Sequence, residues 1–265
     1  MRNALIAAVV LAFAMTGLAQ QDPVSRSMNQ PVEPFRIIGN LYYVGASDVC
    51  SYLITTSKGH ILIDGGFVET APMIRANIAK LGFRMEDVRI LLNTHAHFDH
   101  AGGLAQLKRW SRARFFASRG DAPLLARGGM NDPQFGDRLL FPAIEPDRLL
   151  DDRDRVELGG VVLVARVTPG HTPGCTTWTT RIAEKDVVIL GSASVPKEYK
   201  LTPAIDAQYR HTFAILKSLP CDIFLGSHGS FFDLAAKSAG KKSFVDPDGY
   251  RAFVKSQEYD FEHHR

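Results

Sequence analysis

The residues best suited to chemistry are three histidines and an aspartate within residues 95–100. They follow an apolar run, residues 88–94, which predicts a buried strand that delivers these side chains together at its end. Imidazole nitrogens and carboxylate oxygens are good zinc ligands, and a catalytic zinc keeps one position open for water. Alternate residues of an extended chain point the same way, so His95 and His97 can share one metal, while Asp99 and His100 in the next turn can bind a second metal beside it. The four candidate ligands are His95, His97, Asp99 and His100.

Two later histidines each stand just past a predicted apolar strand. His171 lies among two prolines and two glycines in residues 168–174, a composition that fixes a tight loop. His228 lies in the sequence Gly-Ser-His-Gly. Taken alone, His171 is equally consistent with a histidine in the core. With the first cluster, however, the two make six ligands, and because a structural site needs only four, six favours a catalytic centre with two metals.

The remaining histidines are interpreted as ordinary surface or core residues: His60 in a turn, His211 on a helix, and His263 and His264 at a frayed end. Cys175 could reach a metal as a thiolate, but six better ligands are available. The three cysteines, Cys50, Cys175 and Cys221, leave one disulfide possible, and their spacing says nothing about which pair would form it.

Strands and helices must bring these separated residues together. The first half predicts strands at 41–44, 51–54, 60–63, 88–94 and 113–117, with helices at 71–81 and 104–110. The second half predicts strands at 155–158, 161–167, 176–182, 187–190 and 222–225, with helices at 207–218, 232–239 and 249–258. This order occurs twice and predicts two sheets packed face to face with helices outside. Residues 128–146 lack a clear hydrophobic period and predict a long loop at the rim of the site. The alternative is a loop with only a structural role.

The N-terminus predicts an exported protein. Residues 1–19 combine a short basic start with about fifteen apolar residues, too few to span a membrane comfortably and typical of a cleaved signal peptide. Residues 20–34 are rich in Gln, Pro and Ser and predict a loose arm before one domain at 35–265. Without Arg2 the mature chain has 30 basic and 28 acidic residues. This balance favours neither a nucleic acid nor an anionic membrane as a partner.

The histidine motif, the sequence Gly170-His171-Thr172-Pro173-Gly174 and the downstream His228 together resemble the metallo-β-lactamase superfamily. The resemblance covers the chain from Leu41 to the last helix, and it implies an α/β fold, a four-layer αβ/βα sandwich with two zinc ions at one edge. Thioesterases and lactonases of the family carry an aspartate where this chain has Ser192, and one lactamase subclass carries a cysteine there. Serine at this position resembles class B, subclass 3 metallo-β-lactamases.

The resemblance implies a role for each matching residue. One zinc takes His95, His97 and His171, the other takes Asp99, His100 and His228, and Asp64 orients a ligand imidazole. Hydroxide activated by the two ions attacks the β-lactam carbonyl, and Asp99 orients it. Ser192 and Ser194 are expected to bind the substrate carboxylate, with Lys197 as an alternative, and Tyr199 to donate to the carbonyl oxygen. We expect a periplasmic monomer with no nucleic-acid partner and no stable membrane association.

Two other functions remain open. A secreted hydrolase of the same fold could act on a lactone, thioester or phosphodiester, although Ser192 argues against it. A periplasmic metal carrier would bind zinc without turnover, but a carrier needs neither an open coordination position nor a long rim loop. The residue after His228 also departs from the family, because many members have a proline-containing turn where this chain has residues 229–233.

Overall fold

The first half of the chain forms a seven-stranded mixed sheet. The computed structural model describes residues 23–264, so the predicted signal peptide lies outside the described residues. The strand order follows the chain, with antiparallel pairs from β1 to β4 and parallel pairs from β4 to β7. The strands are β1 (Phe35–Ile38), β2 (Leu41–Tyr43), β3 (Tyr52–Thr56), β4 (Gly59–Ile63), β5 (Val88–Leu92), β6 (Arg114–Ser118) and β7 (Arg148–Leu150).

The second half forms a five-stranded sheet in the order β12-β11-β10-β9-β8. All its pairs are antiparallel except β11 with β12. The strands are β8 (Arg155–Leu158), β9 (Val161–Val167), β10 (Thr176–Ile182), β11 (Lys185–Leu190) and β12 (Ile223–Gly226). Within residues 23–264 the α-helices are α1 (Pro23–Met28), α2 (Thr70–Lys80), α3 (Phe98–Ala101), α4 (Leu104–Ser111), α5 (Ala122–Ala126), α6 (Pro203–Ser218), α7 (Leu234–Ser238) and α8 (Pro247–Glu262).

Side chains of the first sheet point alternately to its two faces, so the core has two layers, one on each face. Ile61 and Ile63 of β4 point into the core between the sheets, whereas Leu62 between them packs on the helix side with residues of α2 and α4. This is the two-residue period of a strand buried on both faces. On the other side, buried aromatic residues of α6 and α8 join the core of the second sheet, among them Tyr209 and Phe261. The predicted four-layer αβ/βα sandwich is confirmed.

Several local expectations need correction. The described part of the expected arm, residues 23–34, contains α1, and the carbonyl oxygen of Met28 accepts hydrogen bonds from the backbone N–H groups of Asp48 and Val49. These contacts hold the segment against the loop before β3. His60 lies in β4 and is buried against Phe83, so it is not a turn residue. α8 continues to Glu262, and Nε2 of His264 lies 3.0 Å from the carbonyl oxygen of Tyr199, so this end is not frayed.

All three cysteines lie in the described region, and none forms a disulfide there. Cys50 and Cys175 are buried, and burial raises the pKa of each thiol far above its usual range. Such thiols behave as small apolar side chains. Within residues 23–264, no helix combines the length and apolar character needed to cross a bilayer.

Candidate metal centre

The six candidate ligands meet where strands end. In the parallel part of the first sheet, β4, β5 and β6 all end at the same edge, and the chain leaves β5 into residues 93–97 and then α3. His171 follows β9 and His228 follows β12, at the corresponding edge of the second sheet. The packing of the two sheets therefore brings three chain segments together, residues 95–100, the loop with His171 and the loop with His228. Burial is nearly complete, since His95 is 1% exposed and His100 is 0% exposed.

His95, His97 and His171 form the first triad. One donor atom from each lies within 4.8 Å of the others. Their ring centroids are 5.0 Å apart for His95 and His97, 4.8 Å for His95 and His171, and 4.7 Å for His97 and His171. Three imidazoles around one small space are a typical donor set for a zinc with an open fourth position.

Asp99, His100 and His228 form the second triad. Oδ2 of Asp99 lies 3.3 Å from Nε2 of His100 and 3.5 Å from Nε2 of His228, and the two Nε2 atoms are 3.1 Å apart. The triads are adjacent, because His95 also has a donor atom within 4.8 Å of those of Asp99 and His100. The structure thus brings all six predicted residues together as two neighbouring groups of three.

Four of the five histidines have one ring nitrogen within 3.5 Å of a protein group and Nδ1 of His100 faces Asp64 at 3.7 Å, which leaves the other nitrogen of each ring for a metal. The hydroxyl of Tyr199 donates its only proton to the carbonyl oxygen of His171, so it can only accept from Nε2 of His97. The five facing pairs are His95 Nδ1 with Thr94 Oγ1 (3.1 Å), His97 Nε2 with Tyr199 Oη (3.4 Å), His100 Nδ1 with Asp64 Oδ2 (3.7 Å), His171 Nδ1 with the Ser194 carbonyl oxygen (2.9 Å) and His228 Nδ1 with Asp48 Oδ2 (2.9 Å).

One buried atom tests whether these residues fit a metal. Nε2 of His95 is buried and has no hydrogen-bond partner among the described residues. An unpartnered buried polar atom is costly, and a metal ion would satisfy it. The first triad also offers three nitrogen donors and the second offers two nitrogens and a carboxylate, donor types that suit zinc. The residues present therefore fit two divalent ions.

The first triad is electrically neutral. Burial, reinforced by the neighbouring imidazoles, holds the pKa values of His95 and His97 well below their usual range. Burial likewise lowers the pKa of His171 to about 4. Neutral imidazole is the form that binds metals, so the fold prepares this triad for a cation at neutral pH.

The second triad carries charge. Burial alone would raise the pKa of Asp99, but His100 beside it outweighs burial and holds that pKa far below its usual range. Burial would lower the pKa of His100, but Asp99 and Asp64 outweigh it and raise that pKa to about 10. The second triad therefore pairs an ionised Asp99 with a protonated His100, and a metal ion that binds there must displace that proton.

Asp64 supports the centre through another residue. The prediction had Asp64 orient a ligand imidazole, but its nearest one, Nδ1 of His100, is 3.7 Å away, which is too long for a hydrogen bond. Its buried carboxylate instead accepts from the backbone N–H of Thr94 at 2.7 Å and from the Thr94 hydroxyl at 2.6 Å. That hydroxyl in turn accepts from His95. Asp64 also has a φ of 63°, in the left-handed region that is uncommon outside glycine.

The predicted substrate residues lie on the segment after β11. The hydroxyls of Ser192 and Ser194 are 3.1 Å apart, and Oγ of Ser194 is 3.5 Å from Nδ1 of His171. Ser192 is 2% exposed, whereas Ser194 is half-buried and Lys197 is exposed. Tyr199 is buried and stacks on the His171 ring with centroids 5.7 Å apart. Its proton is already donated to the His171 carbonyl oxygen.

Two carboxylates were missed by the sequence analysis. Asp48 accepts from Nδ1 of His228 at 2.9 Å and from the backbone N–H of Ser230 at 2.7 Å. Asp121 is 1% exposed, lies beyond the end of β6 and bonds to both loops of the first triad. Burial raises the pKa of Asp121 to about 6. A clue to Asp121 existed, because it follows a strand that ends at the same edge as β4 and β5.

The long loop predicted at 128–146 contains no helix or strand and lies beside the first triad. The Phe135 ring centroid is 5.3 Å from that of His97, and Oδ2 of Asp132 is 3.8 Å from Nε2 of His97. The side chain of Gln134 accepts from the backbone N–H of Lys200 at 2.9 Å. A cavity of about 180 Å³ separates the loop from His171. The loop therefore forms part of the rim, as predicted.

Comparison with known proteins places this geometry in a family. A family model described as the metallo-beta-lactamase superfamily matches residues 44–228. A native metallo-beta-lactamase from Legionella gormanii is 43% identical with a TM-score of 0.86, covering 89% of this chain and 96% of that one. A subclass B3 metallo-beta-lactamase of Bradyrhizobium japonicum is 37% identical with a TM-score of 0.82, covering 89% of this chain and 94% of that one.

Curated relatives found by sequence are more varied. A probable metallo-hydrolase of Burkholderia pseudomallei is 35% identical over 109 residues, which are 41% of this chain and 36% of that protein. The match therefore spans about a third of that relative. An N-acyl homoserine lactonase of Bacillus cereus is 26% identical over 198 residues, 65% of this chain and 71% of that protein.

Proposed function

Because the chain belongs to the metallo-beta-lactamase superfamily, we propose that it is a zinc-dependent hydrolase that opens the β-lactam amide of penicillins, cephalosporins and carbapenems and so confers resistance to them. The observation that carries the proposal is the second triad of Asp99, His100 and His228, whose donor atoms lie within 3.5 Å of one another. Solved metallo-beta-lactamase structures that are 37% and 43% identical to this chain over 89% of its length support it.

The first triad would hold one zinc and the second triad the other. Two bound zinc ions supply Lewis acidity and an activated water for attack on the lactam carbonyl. Asp99 stays ionised because its imidazole neighbours hold its pKa low, so it can accept a hydrogen bond from the attacking water and orient it. His95 and His97 act by holding their ion in place. Replacing His95 or Asp99 with alanine should abolish turnover, and full activity in a variant proven to lack metal would contradict the scheme.

Substrate binding is proposed for the serine pair. The hydroxyls of Ser192 and Ser194 can donate to the carboxylate that accompanies the lactam ring, and the half-buried Ser194 stands beside His171. The double variant Ser192→Ala with Ser194→Ala should raise KM for penicillins more than it lowers kcat. An unchanged KM would show that Ser192 and Ser194 do not bind the substrate carboxylate. Tyr199 is less suited to the predicted oxyanion role, because its proton is already committed to His171.

One experiment tests the main proposal. The mature protein is loaded with zinc and assayed on nitrocefin and on a carbapenem, with and without a chelator. We expect hydrolysis of both that the chelator abolishes and zinc restores. Zinc content should be two per chain. Absence of hydrolysis on every β-lactam, with both ions bound, would reject the proposal.

A second candidate function is hydrolysis of a lactone, thioester or phosphodiester by the same centre. The similarity to an N-acyl homoserine lactonase favours it, whereas Ser192 argues against it. Chelator-sensitive turnover of an acyl homoserine lactone without turnover of nitrocefin would select this alternative. Tight zinc binding without any turnover would instead select a metal carrier.

Location and assembly are also proposals. Export by residues 1–19, action in the periplasm as a monomer, and absence of nucleic-acid and stable membrane partners fit the composition and the proposed substrate. Signal-peptide cleavage and fractionation of the host cell test the location, and size-exclusion chromatography with light scattering tests the monomer.

A further inference from the structure

Asp121 lies between the two chain segments that form the first triad, although its own segment carries no candidate ligand. One segment contains His95 and His97 with Ala96 between them, and the other contains His171 followed by Thr172. Asp121 belongs to a third segment, between β6 and α5. Its side chain is therefore in a position to fix how far these two segments stand from each other.

Three hydrogen bonds define the contact. Oδ2 of Asp121 accepts from the backbone N–H of Ala96 at 2.9 Å and from the hydroxyl of Thr172 at 2.8 Å. Oδ1 accepts from the backbone N–H of Gly174 at 2.7 Å. A single buried carboxylate is thus bonded to both ligand-bearing loops at once, and an ionised carboxylate suits three donors because it has about four acceptor sites and no proton that needs an acceptor of its own.

The backbone at Gly174 packs directly against the segment that contains Ser118 and Asp121. A Cβ atom on Gly174 would lie 2.1 Å from Oγ of Ser118 and 2.3 Å from the backbone nitrogen of Asp121. Oγ of Ser118 also donates to the carbonyl oxygen of Gly174 at 2.6 Å. The segment containing Asp121 is therefore held against the His171 loop, and the bond to Ala96 adds the other loop.

We propose that Asp121 is a positioning residue that sets the metal affinity of the first triad by holding His171 at the correct separation from His95 and His97. It touches no ligand ring and acts only through the two loops. The inference rests on the proposed metal site, but not on the identity of the substrate.

Asp121→Asn is the decisive variant, because it keeps the shape and changes one acceptor into a donor. Wherever the amide NH₂ points, it faces a backbone N–H, either that of Ala96 or that of Gly174, so one of these two backbone hydrogen bonds is lost. We expect zinc affinity at the first triad to fall by about 10–100-fold, the usual loss for residues that support metal ligands. Affinity at the second triad should stay within about threefold of the original.

The measurement is competition for zinc between the protein and a chromophoric chelator, analysed for two sites, with circular dichroism of the apo-protein to establish that the variant is folded. A double-mutant cycle separates positioning from general destabilisation. In a His171→Ala background the first triad is already broken, so Asp121→Asn should lower zinc affinity no further. An equal loss in both backgrounds, or wild-type zinc affinity in a folded Asp121→Asn protein, would overturn the proposal.

If Asp121→Asn does not fold, Thr172 provides the test. Thr172→Val removes one of the three bonds and should weaken zinc binding at the first triad by less than about tenfold, whereas the matched control Thr172→Ser keeps the hydroxyl and should restore it. Equal affinities for these two variants would contradict the proposal. Because zinc itself is the probe, failure of β-lactam hydrolysis would reject the proposed function and leave this result unaffected.

Discussion

The two triads are built alike and charged differently. In the first, His95, His97 and His171 are neutral, since burial lowers their pKa values. In the second, Asp99 is ionised against two imidazoles at 3.3 and 3.5 Å. An ion held by three neutral ligands keeps its full charge and is the stronger Lewis acid, whereas a carboxylate partly neutralises its ion. If the proposed function holds, the first triad would hold the ion that polarises the carbonyl, and Asp99 would orient the attacking water.

The largest effect should come from breaking the first triad. His171→Ala leaves only two imidazoles there, so we expect loss of one zinc per chain and a fall in kcat/KM for nitrocefin of at least about a thousandfold. Metal analysis and steady-state kinetics measure both. His211→Ala, on the exposed face of α6, is the matched control and should match the wild type. Retention of two tightly bound zinc ions by His171→Ala would contradict the assignment of His95, His97 and His171 as the ligands of one zinc ion.

Breaking the second triad should cost less. His228→Ala leaves the ionised Asp99 beside His100, whereas His171→Ala leaves only two neutral imidazoles, so Coulombic attraction still favours an ion at the second triad. We expect zinc affinity at this site to fall by at least about 100-fold, since losing a ligand costs more than losing a residue that only supports one, with the second ion still bindable at high zinc. Zinc titration followed by activity should therefore rescue His228→Ala but not His171→Ala. Rescue of His171→Ala but not of His228→Ala by added zinc would show that the second triad, not the first, is the more sensitive to loss of a ligand.

A smaller effect is expected from the carboxylate that holds His228. Asp48→Asn weakens the contacts with His228 and Ser230, and should lower zinc affinity at the second triad by about tenfold while sparing the first. This selectivity is the mirror image of that expected for Asp121→Asn. Asp248→Asn, an exposed residue of α8, serves as the control for loss of one negative charge. Equal losses at both triads would show that Asp48 is not specific to His228.

The smallest effect should follow Tyr199→Phe, which removes one hydroxyl that donates to the His171 carbonyl oxygen. We expect kcat to fall less than about fivefold and the free energy of unfolding to fall by about 1 kcal/mol, the usual contribution of one hydrogen bond. An oxyanion donor would cost about 100–1,000-fold in kcat. A loss of that size, measured with a penicillin and with nitrocefin, would restore the catalytic role originally predicted for Tyr199.

The strands of the second sheet show what periodicity alone can predict. β8, β9 and β10 have the predicted bounds, because β8 alternates charged and apolar residues and β9 and β10 consist mainly of β-branched and apolar residues, each between turns. β1 and β7, of four and three residues, were not predicted, since so short a run contains too few alternations to be distinguished from a loop. α1 and α5 were missed for the same reason, and their stability comes from contacts with distant residues.

The candidate ligands were visible because their spacing is local or follows a strand. Their supporting carboxylates were not, since the partners lie far apart in the chain: Asp48 and His228 are separated by 180 positions and Asp121 and Gly174 by 53. An isolated aspartate near a turn has the same appearance in sequence whether it is solvated or buried. Only the packing of the two sheets shows which aspartates lose water and become bound to ligand loops.

The sequence by itself therefore determined the donor types, their order and the strand ends that carry them, because residue chemistry and hydrophobic period are local properties. The tertiary structure decided which nitrogen of each imidazole is free, that the first triad is neutral and the second charged, and that Asp48 and Asp121 hold the ligand loops. These properties depend on burial and on hydrogen bonds between distant segments, and they arise only when the two sheets close on each other.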